Sequence, residues 1–155
     1  MTPYDGSDVV LEIDTTTANT ATRSVYANMK PIACLTSNSF DGQRSSQTVT
    51  NKCSGDKEES QPSTFSATFG IEGHIEKLTV DEAGDFDNSK VLFDLFKDGT
   101  VFFAAITDAT NDINVYKEAK VWISSYSESY PTKDVVTFSA TLTITGDVYD
   151  APVTP

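Results

Sequence analysis

The side chains able to do acid–base, nucleophilic or metal chemistry are few, and their spacing suits none of it. His74 is the sole histidine, so a histidine-based triad has one possible base. It sits in Gly-His-Ile within an alternating run, and no Gly-x-Ser-x-Gly elbow presents a nucleophile. Asp81, Glu82, Asp85 and Asp87 gather oxygen ligands as a calcium loop does. The EF-hand spacing fails, with no glycine sixth and no glutamate twelfth, and helix capping with dipole complementation explains these acids more simply. Asp108, Asn111, Asp112 and Asn114 read as turn formers. Tyr116, Trp122, Tyr126 and Tyr130 offer a sugar-binding platform, or else core and interface aromatics. No phosphate loop and no Cys/His zinc spacing occurs. The residues predict no enzyme, no metal and no cofactor.

Composition narrows the partners. The chain has 155 residues, with 23 acidic against 11 basic side chains, a formal charge of −12 and a pI near 4.2. That length predicts one domain over 1–155. Neutralising nucleic-acid phosphates needs a basic footprint that is absent here. The acids are spread along the chain and predict a soluble acidic surface. MTPYDGSDVVLEID lacks a basic leader and an apolar core, so no signal peptide is expected. No apolar run approaches the ~20 residues that span a bilayer. A soluble product of the cytosol is expected, in which Cys34 and Cys53 are better read as thiols than as a bridge.

The elements are mostly strands. KVWISSYSESYPTKDVVTFSATLTITGD, from Lys120 to Asp147, is the most ordered stretch. Val136, Phe138, Ala140, Leu142 and Ile144 alternate with Thr137, Ser139, Thr141, Thr143 and Thr145, the pattern of a strand with one buried and one wet face. Val121 and Ile123 alternate likewise before the Pro131 turn, predicting an antiparallel pair. Residues 8–14 predict a short strand with Val9, Leu11 and Ile13 inward and an acidic outer face. A strand over 32–40 is expected to turn at Asp41-Gly42, followed by a polar edge strand over 45–53. Ser63 to Ile75 predicts another strand, with Gly70 and Gly73 permitting a bulge or close approach.

One helix is predicted over about 86–98, capped by Asp87 or Asn88, striped by Val91, Leu92, Leu95 and Phe96, and ended by Gly99. Thr100–Thr107 is an apolar strand. Residues 15–29 and 54–62 read as flexible loops, and 147–155 as a short tail. The sum is a mainly β fold, a sandwich or partly closed barrel with one flanking helix.

Several of these pieces resemble, in order, the major tail proteins of long-tailed bacteriophages. Ser125, Ser127, Glu128, Pro131, Asp134, Phe138, Ser139, Thr141 and Gly146 fall on that family's closing hairpin. Gly6-Ser7-Asp8-Val9-Val10-Leu11 is similar to its opening strand. Ile32-Ala33-Cys34 through Phe40, with Thr50 to Gly55, is similar to its second segment. Phe65 to Gly73 and Leu92 to Thr100 match a strand and a helix end. The Thr/Ala-rich insert at 15–29 is a departure in length.

The resemblance implies a structural virion protein of the tail, assembled in the host cytoplasm. It would stack as hexameric rings into a tube, its strands joining an inner barrel through which double-stranded DNA passes without specific binding. Implied partners are further copies of itself and the tail terminator, tape measure and distal tail or baseplate proteins, with no membrane. On that reading Asp8, Glu12, Asp14, Glu72 and Glu76 are lumen-facing acids. Asp56, Lys57, Glu58, Glu59 and Ser60 form an inter-ring loop. The rival is a secreted carbohydrate-binding or adhesin sandwich, which the missing leader and the absence of an ordered aromatic motif disfavour.

Overall fold

The computed structural model describes residues 5–6, 9–17, 20–24, 28–32, 34–49, 55, 59–75, 88–108 and 115–151. Within them lie β1 (Val9–Asp14), β2 (Lys30–Pro31), β3 (Leu35–Val49), β4 (Glu59–His74), α1 (Ser89–Asp98), β5 (Phe102–Asp108), β6 (Lys117–Ser129) and β7 (Thr137–Tyr149). All seven strands join one antiparallel sheet in the order β2-β1-β5-β6-β7-β4-β3.

The alternation of β7 sets the two faces. Phe138, Ala140 and Leu142 are buried, and the intervening threonines and serine are half-buried. β6 lies against it with Ile123 opposite Leu142 and Tyr126 opposite Ala140. A register shift between Ile123 and Ser125 leaves Ser124 as the extra residue, and its hydroxyl donates to the Thr141 carbonyl at 3.3 Å. β5 does not alternate: Phe102 to Asp108 are all buried. Its Phe102, Ala104 and Ile106 enter the main core with Leu11, Ile13, Phe69, Leu92 and Val121.

Phe103 and Ala105 face the other way, beside Glu12 and Glu118. On that second face, the described part of the Thr/Ala-rich insert is tied to β6 at Glu118. Arg23 Nε donates to Glu118 Oε2 at 2.8 Å, Arg23 Nη2 to the Ala151 carbonyl at 2.6 Å, and Tyr116 OH to Glu118 Oε1 at 2.8 Å. Glu118 is a buried carboxylate with both oxygens answered. Burial, and after it the Glu118 hydrogen bond, pushes the Tyr116 phenol well above its usual pKa.

The sheet's ends do not pair with each other, but they come together. Asn38 Nδ2 on β3 donates to the Val9 carbonyl on β1 at 3.3 Å, and the Lys117 ammonium lies 5.3 Å from the centre of the Phe40 ring. The fold is therefore a partly closed barrel made from one rolled sheet, with α1 on its flank. Asn88 caps α1, its side chain accepting from Lys90 N and Val91 N, and Gly99 ends it at φ 66°. Asp87 lies outside the described residues.

Three expectations are corrected. Asp41-Gly42 is not a turn: Asp41 pairs with Thr68 and Gly42 with Ala67 inside β3. β4 offers backbone partners along nearly all of β3, and that ladder overrides the local turn preference. Residues 59–62 are not loop either, since Glu59 to Pro62 pair with Val49 to Ser46. Pro62 is accommodated beside the register shift between Arg44 and Ser46. β7 reaches only from Thr68 to His74 of β4, so no strand needs the missing Pro62 N–H. The expected tail also starts later, because Asp147 to Tyr149 belong to β7.

Gly73 marks the tightest approach in the sheet. A Cβ there would lie 2.6 Å from the Cys34 carbonyl oxygen and 2.9 Å from the Phe138 ring. Gly73→Ala is expected to destabilise the chain by roughly 1–3 kcal/mol, read as a lower denaturation midpoint. An unchanged midpoint would show that the β3–β4–β7 junction yields freely.

Candidate assembly surface

The wet face of β7 continues across three neighbours. Ser37, Glu72, Ser139 and Ser127 form one row across β3, β4, β7 and β6; Ser39, Gly70, Thr141 and Ser125 form the next. Asp41, Thr68, Thr143 and Trp122 form a third. The Ser127 and Ser139 hydroxyls are 2.7 Å apart. This is a flat lawn of short hydroxyls with two carboxylates, Asp41 and Glu72, and one large ring, Trp122. It offers hydrogen bonds but no enclosed pocket for a small ligand. Among the described residues, no group of three or more His, Cys, Asp or Glu is placed to hold a metal.

Both borders of this four-stranded region lack a strand partner among the described residues. β3 ends the sheet, so its outer edge is open from Leu35 to Val49. β5 covers β6 only from Lys117 to Val121, which leaves Trp122–Ser129 open on that side. Long open edges normally invite unwanted pairing. Beyond Ala67, β4 pairs with β3 alone, so Gly42–Val49 and Glu59–Ala67 make a two-stranded arm. Phe65 at its base is 47 % exposed, with the Arg44 guanidinium 5.5 Å from its ring centre.

Behind the open edge of β6 stands an aromatic group. Tyr126 packs between Phe138 and the helix, with ring centres 6.3 Å from Phe138, 5.9 Å from Phe93 and 6.2 Å from Phe96. Its hydroxyl donates to Glu128 Oε1 at 2.6 Å. Desolvation, then that bond, raises the Tyr126 pKa well above the ordinary phenol value. Tyr130 donates to the other Glu128 oxygen, which raises its pKa also. Phe93 and Phe96 nevertheless stay partly in solvent.

The acids expected to line a lumen do not behave alike. Glu72 stands exposed on the hydroxyl face. Asp14 is corrected: it is fully buried, its Oδ1 accepting from Thr16 N at 2.9 Å, Thr17 N at 3.0 Å and Thr16 Oγ1 at 3.1 Å. Strict alternation put it on the wet side, but the turn after β1 folds over it. Glu12 is half-buried opposite Ala105, on the face to which the insert is tied. Asp8 and Glu76 lie outside the described residues, as do Asp56, Lys57 and Glu58. Glu59 and Ser60 are in β4, at the outer end of the arm. Asp41 joins the candidate face unforeseen, because its dipeptide signalled a turn.

The sugar-platform reading loses its geometry. Tyr116 is buried, Trp122 lies on the hydroxyl face, and Tyr126 faces the core side with Phe138. Among the described residues no helix is long and apolar enough to cross a membrane.

The described residues thus form an open-edged sheet with a flanking helix and a projecting two-stranded arm. No family model and no curated protein matches the sequence. Solved structures do match the fold. The tail of an empty gene transfer agent particle, solved with six-fold cyclic symmetry, superposes with a TM-score of 0.68 at 16% identity, covering 95% of this chain and 98% of that one. The SPP1 tail tube gives 0.68 at 14% identity, covering 98% and 81%. A chain of the anti-feeding prophage baseplate gives 0.60 at 6%, covering 96% and 95%. The chain has the phage tail tube fold.

Burial raises the pKa of Glu12, and no ion pair among the described residues offsets it. A carboxyl whose folded pKa lies above its unfolded value loses stability as pH rises through the folded pKa. Glu12→Gln is therefore expected to melt higher than the parent at neutral pH. The two melting curves should converge below the ordinary glutamate range. A parent that is equally stable or more stable at neutral pH would refute the uncompensated burial.

Proposed function

We propose that this chain is a structural protein of a virion tail that closes into hexameric rings, stacked as a tube through which genomic DNA leaves. The observation that carries the reading is the pair of open edges. Across β3, β4, β7 and β6 the strands run alternately up and down. A copy rotated about a ring axis keeps its up direction, so its β3 meets the β6 of its neighbour antiparallel. Repetition closes the four-stranded region and removes both of those open edges. The six-fold tail of similar fold supports six copies.

The hydroxyl face then lines the bore. Serine and threonine present no positive charge to phosphates, and Asp41 and Glu72 repel them, with Asp8 and Glu76 as further candidates. DNA carrying about one charge per ~1.7 Å of axis slides past such a wall without adhering. The arm, ending in Asp56 to Ser60, is suited to reach the next ring. The remaining partners are the tail terminator, tape measure and distal tail or baseplate proteins, and the expected place is the virion tail, assembled in the host cytoplasm.

Negative-stain images and sedimentation of the purified chain test the assembly. Rings or tubes at high protein concentration are expected, and monomer alone under every salt condition would sink the reading. Deleting Asp56 to Ser60 takes from the described ladder only the outermost pairs of the arm, Glu59 and Ser60, so the monomer should melt nearly as before while tube growth fails. Normal tubes from that deletion would reject the stacking role of the arm. Reversing Glu72 and Glu76 to lysine should leave rings intact but slow DNA ejection, with relief at high salt. Unchanged ejection would place those acids away from the bore.

A further inference from the structure

The two borders of the sheet differ in what stands behind them. Behind the open edge of β6 is the flank of α1 that carries Ser89, Phe96 and Phe93, held there by Tyr126, whose hydroxyl also donates to the Ser89 carbonyl at 3.3 Å. Phe93 is 44 % and Phe96 37 % exposed, although Leu92 and Leu95 of the same helix are buried. On the opposite side, where β3 rolls toward β1, a groove of about 770 Å³ opens among Val9, Val10, Pro31, Ile32, Cys34 and Leu35. Among the described residues lining it none is charged, and Thr36, Ser37 and Asn38 add polar atoms at its β3 end. One border has a protruding apolar group, and the other an apolar recess.

They also lie at the same end of the sheet. The row Ser37–Glu72–Ser139–Ser127 runs from one border to the other, so Leu35–Asn38 and Tyr126–Ser129 share a level. Both features are on the core side of the sheet, the groove where Asn38 reaches β1 and the helix flank where Tyr126 stacks on Phe138. When β3 of one copy adds to β6 of the next, the helix flank of the second copy faces the groove of the first.

We propose that Phe93 and Phe96 of each copy seat in the groove between β1 and the start of β3 of its neighbour. The occupant is a second copy of this chain. The contact is head-to-tail, so every copy gives one knob and one hole, and it is continuous with the joined strand edges. Strand pairing alone specifies direction but tolerates slips in register. The knob in its groove fixes that register and places apolar anchors beside the shared strands. This inference rests on the ring reading above, and the experiment separates the two.

Phe93→Ser/Phe96→Ser should fold with a near-parental melt, since both rings are partly exposed, yet need on the order of tenfold more protein to form rings. Val10→Glu, on the groove wall, should give the same defect from the other side if the helix variant folds poorly. A Ser89→Cys chain, treated with a short bis-maleimide, should yield bands up to the hexamer. Those bands should vanish in Ser89→Cys/Cys34→Ser. Wild-type rings with unaffected assembly of these variants, or with cross-links independent of Cys34, would overturn the contact and leave the ring reading standing. Cross-links that appear in tubes but not in isolated rings would also overturn it, by assigning the groove to stacking. A wild type that never leaves the monomer would end both proposals.

Discussion

The whole molecule hangs on one short ladder, the pairing of Thr68–His74 in β4 with Thr137–Thr143 in β7. Among the described residues it is the only place where the β3–β4 hairpin is joined edge to edge with the rest of the sheet. Glycines make the fit possible. At Gly70 a Cβ would lie 2.7 Å from the Ser39 hydroxyl, and at Gly73 it would strike the Cys34 carbonyl and Phe138. With both Cβ atoms absent, Phe69, Ile71, Phe138, Ala140 and Leu142 close into one core. The same ladder aligns the hydroxyl rows, so the packed side and the wet side are set together.

How far this was legible from sequence varied with the range of the interaction that decides each element. Thr137–Thr145 alternates and is a strand with its apolar set inward. The helix stripe Leu92 and Leu95 is buried, and Asn88 and Gly99 bound it as their types suggest. These signals are local. Asp41-Gly42 misled because the poor strand propensity of Asp and Gly, on a scale spanning only about 1 kcal/mol, is outweighed by a continuous ladder to β4. Glu59–Pro62 misled because polar composition marks exposure, and an exposed two-stranded arm is as polar as a loop. Asp14 misled because alternation cannot foresee a following turn that folds Thr16 and Thr17 back onto the carboxylate. The groove, drawn from β1, β2 and β3, has no signature in any single stretch.

The buried ion pair of Arg23 and Glu118 solves a problem that the apolar strand β5 creates. A strand buried on both faces needs cover on the side away from the core, and a segment rich in Thr and Ala lacks the apolar area to supply it unaided. Anchoring at Arg23, which also stacks 4.5 Å from the Tyr149 ring centre, holds that cover in place. Removing one partner would strand a desolvated charge. The cluster is therefore best seen as a fastener for the insert, distinct from the surface acids that face solvent.

The position of β7 in the chain has a consequence for biosynthesis. In the proposed ring the two edges that would meet a neighbour belong to β3, made early, and β6, made late, and among the described strands β7 and β4 link them edge to edge within one subunit. Until the ribosome has delivered residues 137–143, no strand ladder among the described residues joins the β3–β4 hairpin to the β5–β6 pair, leaving side-chain contacts such as Asn38 to Val9 on β1 and Lys117 to Phe40. A nascent or truncated chain thus cannot present both borders at the spacing a closed circle demands. In the proposed ring, translation order itself would keep unfinished subunits out of the assembly.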